Sequence, residues 1–204
     1  YKKIFKKFLS FEDGKILELM DLDNDFFVDF IVFLREEYKL SDNTLYRQMN
    51  FFKTFLNWCN TKSMQTNKDY KKVKLNKYNP DTISLTKEDL KVLENLELSK
   101  SKSYHRDLFL IGCYSGQRFS DYSVFERSDV QGNMIIKRSE KTESHSFIPL
   151  IPQLKSLLDK HDWNLTIISG QKFNDYLKII CQKAGFDEEV KTTKYMGSKK
   201  TSQY

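Results

Sequence analysis

The chain has 204 residues and a formal net charge of +6, with 39% hydrophobic and 14% aromatic residues. That length buries the core of one large domain or two small ones, and sixteen phenylalanines are far from the aromatic-poor composition of a disordered chain. No apolar run is long enough to span a bilayer and no charged-then-apolar leader opens the sequence, which argues against membrane insertion and secretion and for a cytoplasmic protein.

Cys59, Cys113 and Cys181 lie far apart in apolar helical stretches, without a CxxC pair or a histidine at metal-ligand spacing. They read as reduced core residues, and neither a metal nor another cofactor is expected. Residues 1 to 9 look like the end of a helix, with Ile4, Phe5 and Phe8 apolar, so a helical bundle is expected to begin before this chain does. From Asn24 to Tyr38 the apolar residues Phe27, Phe30, Ile31, Leu34 and Tyr38 mark one face of an amphipathic helix. After a break at 39–42, Ser41 or Asp42 is positioned to cap a second helix. Its stripe is Leu45, Met49, Phe52, Leu56 and Cys59, widened by Phe51, Phe55 and Trp58. Residues 60–81 lose this period, gain Asn and Lys, and close with Asn79-Pro80-Asp81, which predicts a linker.

Charge is distributed unevenly. Residues 1–42 carry seven Lys/Arg against ten Asp/Glu, residues 43–79 carry eight against the single Asp69, and the remaining 125 residues add only +2. A local excess of +7 favours a polyanion, and each neutralised phosphate of a nucleic acid also releases counterions. Arg47, Lys53, Lys68, Lys71, Lys72, Lys74 and Lys77 are the candidate phosphate contacts, with nucleic acid as the polyanion; no small-molecule ligand is expected.

Thr86-Lys87-Glu88-Asp89 has the pattern of a capping box at a helix start. Further on, the apolar run Leu108 to Tyr114 stops at Gly116, a helix C-terminal signal, and Arg118 follows. Ser120 is placed to cap the next short helix, while Asp121 is within reach of the Arg118 guanidinium, an arrangement suited to an oxyanion or phosphate clamp. Met134–Arg138 and Phe147–Leu150 read as the strands of a hairpin joined by polar residues 139–146. Pro152 opens a helix bearing Leu154, Leu157 and Leu158. A last helix carries Phe173, Leu177, Ile180, Cys181 and Ala184 and ends at Gly185. The final fourteen residues hold four lysines, no acid and no clear period.

The run Ser115-Gly116-Gln117-Arg118-Phe119-Ser120-Asp121 through Ser128-Asp129-Val130 resembles the first arginine box of the tyrosine recombinase (phage integrase) family, with Ser115 where that box usually has Thr. The resemblance extends to Ser41-Asp42-Asn43-Thr44, to the aromatic end of the helix that follows, to Thr86-Lys87-Glu88-Asp89-Leu90, and to Lys141-Thr142 before Phe147-Ile148-Pro149-Leu150. It implies a mainly α chain with a small antiparallel hairpin or sheet: a helical SAM-like core-binding domain over 1–79 and the front part of an α+β catalytic domain over 80–204. It implies Arg118 and Lys141 as catalytic residues, Asp121 behind Arg118, and self-association on double-stranded DNA as a dimer or tetramer in the intact protein, in a nucleoid setting. The family also requires a His-x-x-Arg box and a tyrosine nucleophile. His105, His145 and His161 lack an arginine three residues later and read as surface or capping residues, and Tyr204 lies upstream of where that box belongs. The expectation is therefore a DNA-binding fragment of a mobile-element integrase, or alternatively a non-catalytic DNA-binding relative acting as a regulator or accessory factor.

Overall fold

The computed structural model describes residues 2–79, 81–138, 144–166 and 168–203. Along them run α1 (Lys2–Glu12), α2 (Asn24–Tyr38), α3 (Asp42–Thr61), α4 (Lys87–Glu94), α5 (Lys100–Ser115), α6 (Phe119–Tyr122), β1 (Val130–Gln131), β2 (Met134–Arg138), β3 (His145–Pro149), α7 (Pro152–Lys160), α8 (Gly170–Lys183), β4 (Thr192–Met196) and β5 (Lys199–Gln203). Single 3-10 turns cover Lys68–Lys72 and Arg127–Asp129. The fold is mainly α with small antiparallel sheets, one in the order β1-β2-β3 and one of β4 with β5. Two compact units result: residues 1–82 with 189–204, and residues 83–188.

The first unit is built on aromatic rings. Phe27, Phe30, Ile31 and Leu34 of α2 are buried, as are Leu45, Met49, Phe52, Leu56 and Cys59 of α3. Phe30 meets the rings of Phe8, Phe11, Phe33 and Phe52 at centroid distances from 5.1 to 6.3 Å. Tilted and edge-on pairs of this kind contribute about 0.5–1.5 kcal/mol each beyond their buried area. At the start of α3, Ser41 holds the cap position without a side-chain bond to a backbone N–H of the helix, its hydroxyl meeting that of Thr44 instead.

Two expectations for this unit need correction. Residues 60–81 are not a free linker, because the turn at 68–72 folds back and buries Tyr70 and Val73 in the bundle core. The Tyr70 hydroxyl donates to Asn57 Oδ1 (2.7 Å) and accepts from Asn60 Nδ2 (3.2 Å), so polar and apolar anchors act together. Two anchoring residues create no period for a sequence window to detect. The last residues, lacking a clear period, form the β4–β5 hairpin and group with the first unit rather than with 80–188. Met196 pairs with Lys199, leaving Gly197 and Ser198 as a two-residue turn at φ 61° and 63°. Positive φ at both central residues is the turn type whose twist suits a tight hairpin.

In the second unit the capping box forms: Thr86 Oγ1 accepts from Asp89 N (3.1 Å) and Asp89 Oδ2 accepts from Thr86 N (2.8 Å). α5 buries Leu108, Leu110 and Ile111. The predicted hairpin pairs from Met134↔Pro149 to Arg138↔His145, starting its second strand two residues earlier than expected, and the short β1 adds to its free side. Pro152 occupies the first turn of α7, and Gly185 follows α8 in the left-handed region at φ 79°.

The histidine and cysteine expectations hold only in part. His145 is exposed, whereas His105 is buried, with Nδ1 2.7 Å from Ser101 O and its ring stacked on Tyr176. Cys59 is a core residue, but Cys113 is exposed and Cys181 half-buried. The apolar faces of α5 and α8 are broader than the surfaces that cover them, so helical period alone overstates burial there.

Candidate nucleic-acid interface and phosphate-binding corner

The Arg118 corner begins where α5 stops. Gly116 donates its N–H to Gly112 O (2.9 Å) at φ 64°, a conformation that glycine adopts with little strain. The chain turns, and Arg118 takes the extended cap position of α6, its carbonyl accepting from Asp121 N (2.9 Å) and Tyr122 N (3.0 Å). Its side chain is 53% exposed, with Nη1 3.5 Å from Oδ2 of Asp121, whose side chain is 4% exposed. A buried carboxylate thus holds the guanidinium while the head faces outward. The base is rigid because Gly112 lies against Tyr122: a Cβ at 112 would come within 2.6 Å of Tyr122 Cε1. Burial pushes the Tyr122 phenol well above its ordinary pKa, leaving it neutral.

Ser120 does not cap α6. The helix begins two residues earlier than a Ser120 cap requires, so Ser120 falls inside the turn, with Oγ 3.4 Å from Asp121 Oδ1. Lys141 lies outside the described residues. Lys137, on the same hairpin, is committed elsewhere: it donates to Val124 O (2.9 Å) and to Asp129 Oδ2 (2.8 Å).

Sequence reasoning missed a buried ionic centre in the first half of α5. Asp107 is 1% exposed; its Oδ1 accepts from Arg106 Nε (3.0 Å) and Nη2 (2.8 Å), and its Oδ2 faces Lys160 Nζ (2.7 Å) and His161 Nε2 (3.0 Å). Burial works to raise the Asp107 pKa, but hydrogen bonds from Lys160, Arg106 and His161 outweigh it and hold the carboxyl below its usual range. Arg106 also donates to Glu94 O and Leu96 O, tying the end of α4 to α5 and α7. An Arg-Asp pair set directly against the apolar run Leu108–Ile111 was the available signal.

The candidate phosphate contacts sort by exposure. Arg47, Lys68, Lys71, Lys72, Lys74 and Lys77 are exposed, with Lys72 also bridging Asp69 at 2.8 Å. Lys53 is half-buried and donates to Val73 O, which fastens the 68–75 segment to α3. Charge separates by unit: nineteen basic against thirteen acidic residues in the first, fifteen of each in the second, so the whole +6 sits on the first.

A second feature was also missed. Asp42, 2% exposed, accepts from Arg35 Nη2 (2.9 Å) and from the backbone N–H groups of Gly197 (3.0 Å) and Ser198 (2.8 Å) in the β4–β5 turn. Burial acts to raise its pKa, and the Ser198 N–H, Arg35 and the Gly197 N–H together bring it below the usual carboxylate range. Among the described residues no His, Cys, Asp or Glu group could hold a metal ion, and no helix is long and apolar enough to cross a membrane.

Residues 1–79 match the family model for the phage integrase SAM-like domain. No curated protein sequence matches the chain. Among solved structures it is similar to a lambda integrase (75–356) dimer bound to a COC′ core site, at 14% identity and a TM-score of 0.69, over 92% of this chain and 75% of that one. A lambda integrase tetramer bound to a Holliday junction aligns at 15% and 0.70, over 92% and 58%. Lambda integrase (residues 75–356) bound to DNA aligns at 14% and 0.64, over 92% and 72%. At these identities the likeness establishes a shared fold. Residues 1–79 thus match the phage integrase SAM-like domain, and the chain as a whole shares the fold of the lambda integrase structures.

Proposed function

We propose that the chain serves a site-specific tyrosine recombinase of a mobile element, gripping duplex DNA through its first unit and presenting Arg118 to the scissile phosphate. The observation that carries this reading is the segregation of the entire net charge onto the unit that contains the residues matching the integrase SAM-like domain. Lysines spaced along 68–77 suit the regular phosphates of a duplex, and their contacts set affinity without specifying sequence.

Strand transfer by a tyrosine exchanges one phosphodiester for another, so the scheme needs neither nucleotide nor metal. Negative charge grows on the non-bridging oxygens as the bond to tyrosine forms. A planar guanidinium binds two of those oxygens at once, and the buried Asp121 carboxylate limits its rotation. Lys141 is the proposed donor of the proton that the departing 5′ oxygen requires. Assembly as a dimer or tetramer on DNA belongs to the same proposal, supported by the lambda integrase complexes of those sizes.

Titration of the chain with DNA over a range of salt concentrations tests the binding half. Replacing Lys71, Lys72 and Lys74 by Glu is expected to weaken binding to many sequences about equally and to reduce the salt slope by roughly one per lost contact. Unchanged affinity at low salt would remove the reading. In a recombinase carrying all the family's boxes, Arg118→Ala is expected to cost strand cleavage about 3 kcal/mol while binding changes far less.

A further inference from the structure

The β4–β5 hairpin is held on the first unit through β4, whose five residues are all half-buried, while Lys199 and Lys200 of β5 are exposed. Consecutive N–H groups of Gly197 and Ser198 form a concave donor pair of the kind that binds anions, and its occupant is the buried Asp42 carboxylate. Ser198 carries a Cβ at positive φ, an arrangement that persists when neighbouring contacts over-determine it. Those contacts are present: Tyr195 stacks on Tyr78 at 3.8 Å and 3°, and Thr193 N donates to Asp81 Oδ2 at 2.7 Å. Asn43 in turn clamps Tyr78, accepting from its N–H and donating to its carbonyl, both at 2.8 Å. The seat is therefore specific.

Strand register then decides which lysines share a face of the hairpin. Tyr195 pairs with Lys200, so Lys200 shares the seated face and feels the Asp81 charge. Lys194 pairs with Thr201 and Met196 with Lys199, which puts Lys194 and Lys199 diagonally adjacent on the opposite face. Neither forms a salt bridge among the described residues. The seat also brings them beside the basic segment, since Lys74 and the Gly197-Ser198 turn line one cavity. Two lysine clusters more than a hundred residues apart in sequence thereby adjoin on one unit.

We infer that the hairpin is an additional DNA-contact element of the first unit, with Lys194 and Lys199 neutralising duplex phosphates next to those held by the 68–77 lysines. The inference rests on the DNA-binding reading above. A duplex fits better than an isolated anion because exposed Lys199 and half-buried Lys194 lie along one strand face rather than converge on one cavity, and phosphate spacing on a duplex is repetitive.

The test uses the whole chain, a mixed-sequence DNA duplex and an RNA duplex of the same sequence, each titrated across salt. The double variant Lys194→Gln/Lys199→Gln is expected to keep its circular dichroism and unfolding midpoint and to lower the DNA salt slope by about two, whereas Lys200→Gln changes it by less than one. A slope unchanged in the double variant, while Lys71, Lys72 and Lys74→Glu still lowers it, overturns the hairpin's role and leaves the DNA-binding reading standing. No change in either set overturns both. An equal drop from Lys200→Gln alone overturns the face assignment, and tighter binding of the RNA duplex through Lys194 and Lys199 overturns DNA as the partner.

Discussion

The two units solve the problem of a small core in opposite ways. Ten of the sixteen phenylalanines lie in the first unit, whose buried polar side chains among the described residues are Asp42 and Thr66. The second unit has six phenylalanines and buries His105, Arg106, Asp107, Ser115, Asp121 and Ser123. Rings give the first unit stability that needs no directional partner, so its surface is free to carry the positive charge. The second unit is neutral overall and places ions inside, where each must find a geometrically suited partner. That requirement ties the end of α4 to α5 and α7 through Arg106 and Asp107, while buried Asp121 of α6 pairs with Arg118.

Single substitutions test this contrast. Phe30→Ala removes the ring at the centre of the aromatic cluster and is expected to destabilise the first unit by about 3–5 kcal/mol in chemical denaturation. Asp107→Ala strands the buried Arg106 guanidinium and is expected to cost the second unit a similar amount, about 3–5 kcal/mol. Trp163, buried in the second unit, reports that loss by fluorescence in a Trp58→Phe background. If Asp107→Ala proved as mild as a surface change, the ionic account of the second unit would be wrong.

Gly112→Ala is expected to destabilise the second unit by roughly 1–3 kcal/mol, because the added methyl meets the buried Tyr122 ring and outweighs the gain in helix propensity. The same variant should loosen the Arg118 corner, so strand cleavage in a complete recombinase falls more than DNA binding does.

Acid separates the units less sharply. Asp42 and Asp107 both have folded-state pKa values below the ordinary carboxylate value. Their stabilising contribution is therefore full above about pH 4 and is lost as pH falls through the folded values. Unfolding midpoints measured from pH 6 downward should drop in both units, and Asp107→Asn should flatten the drop seen by Trp163. At the small end, Lys71→Gln is expected to leave stability within about 0.5 kcal/mol while lowering the DNA salt slope by about one. A larger stability loss would mean that the basic segment is part of the core architecture rather than its exposed edge.

Much of the fold was legible from periodicity. The stripes Phe27 to Leu34 and Leu45 to Cys59, the Thr86-Asp89 capping box, the β2–β3 hairpin and the stop at Gly116 all depend on residues near one another in the chain. Local propensity and spacing encode such features directly. The same holds for Arg118 and Asp121, which are three residues apart and meet across one turn. The concentration of positive charge in 43–79 was equally plain, because charge is additive and needs no geometry.

Tertiary structure decided what depends on partners distant in sequence. Lys53 reads as one more phosphate contact until Val73 O is found beside it, and Tyr70 reads as linker until Asn57 and Asn60 receive it. His161 becomes part of an ionic centre only because α7 returns to Asp107, fifty-four residues away. The hairpin at 192–203 carries no strong strand pattern of its own; it is seated by a carboxylate 155 residues earlier and by a tyrosine stack onto Tyr78. A two-stranded hairpin is marginal in water, so what stabilises it lies in the surface beneath it, and that surface exists only once α2, α3 and the 68–81 segment have folded together.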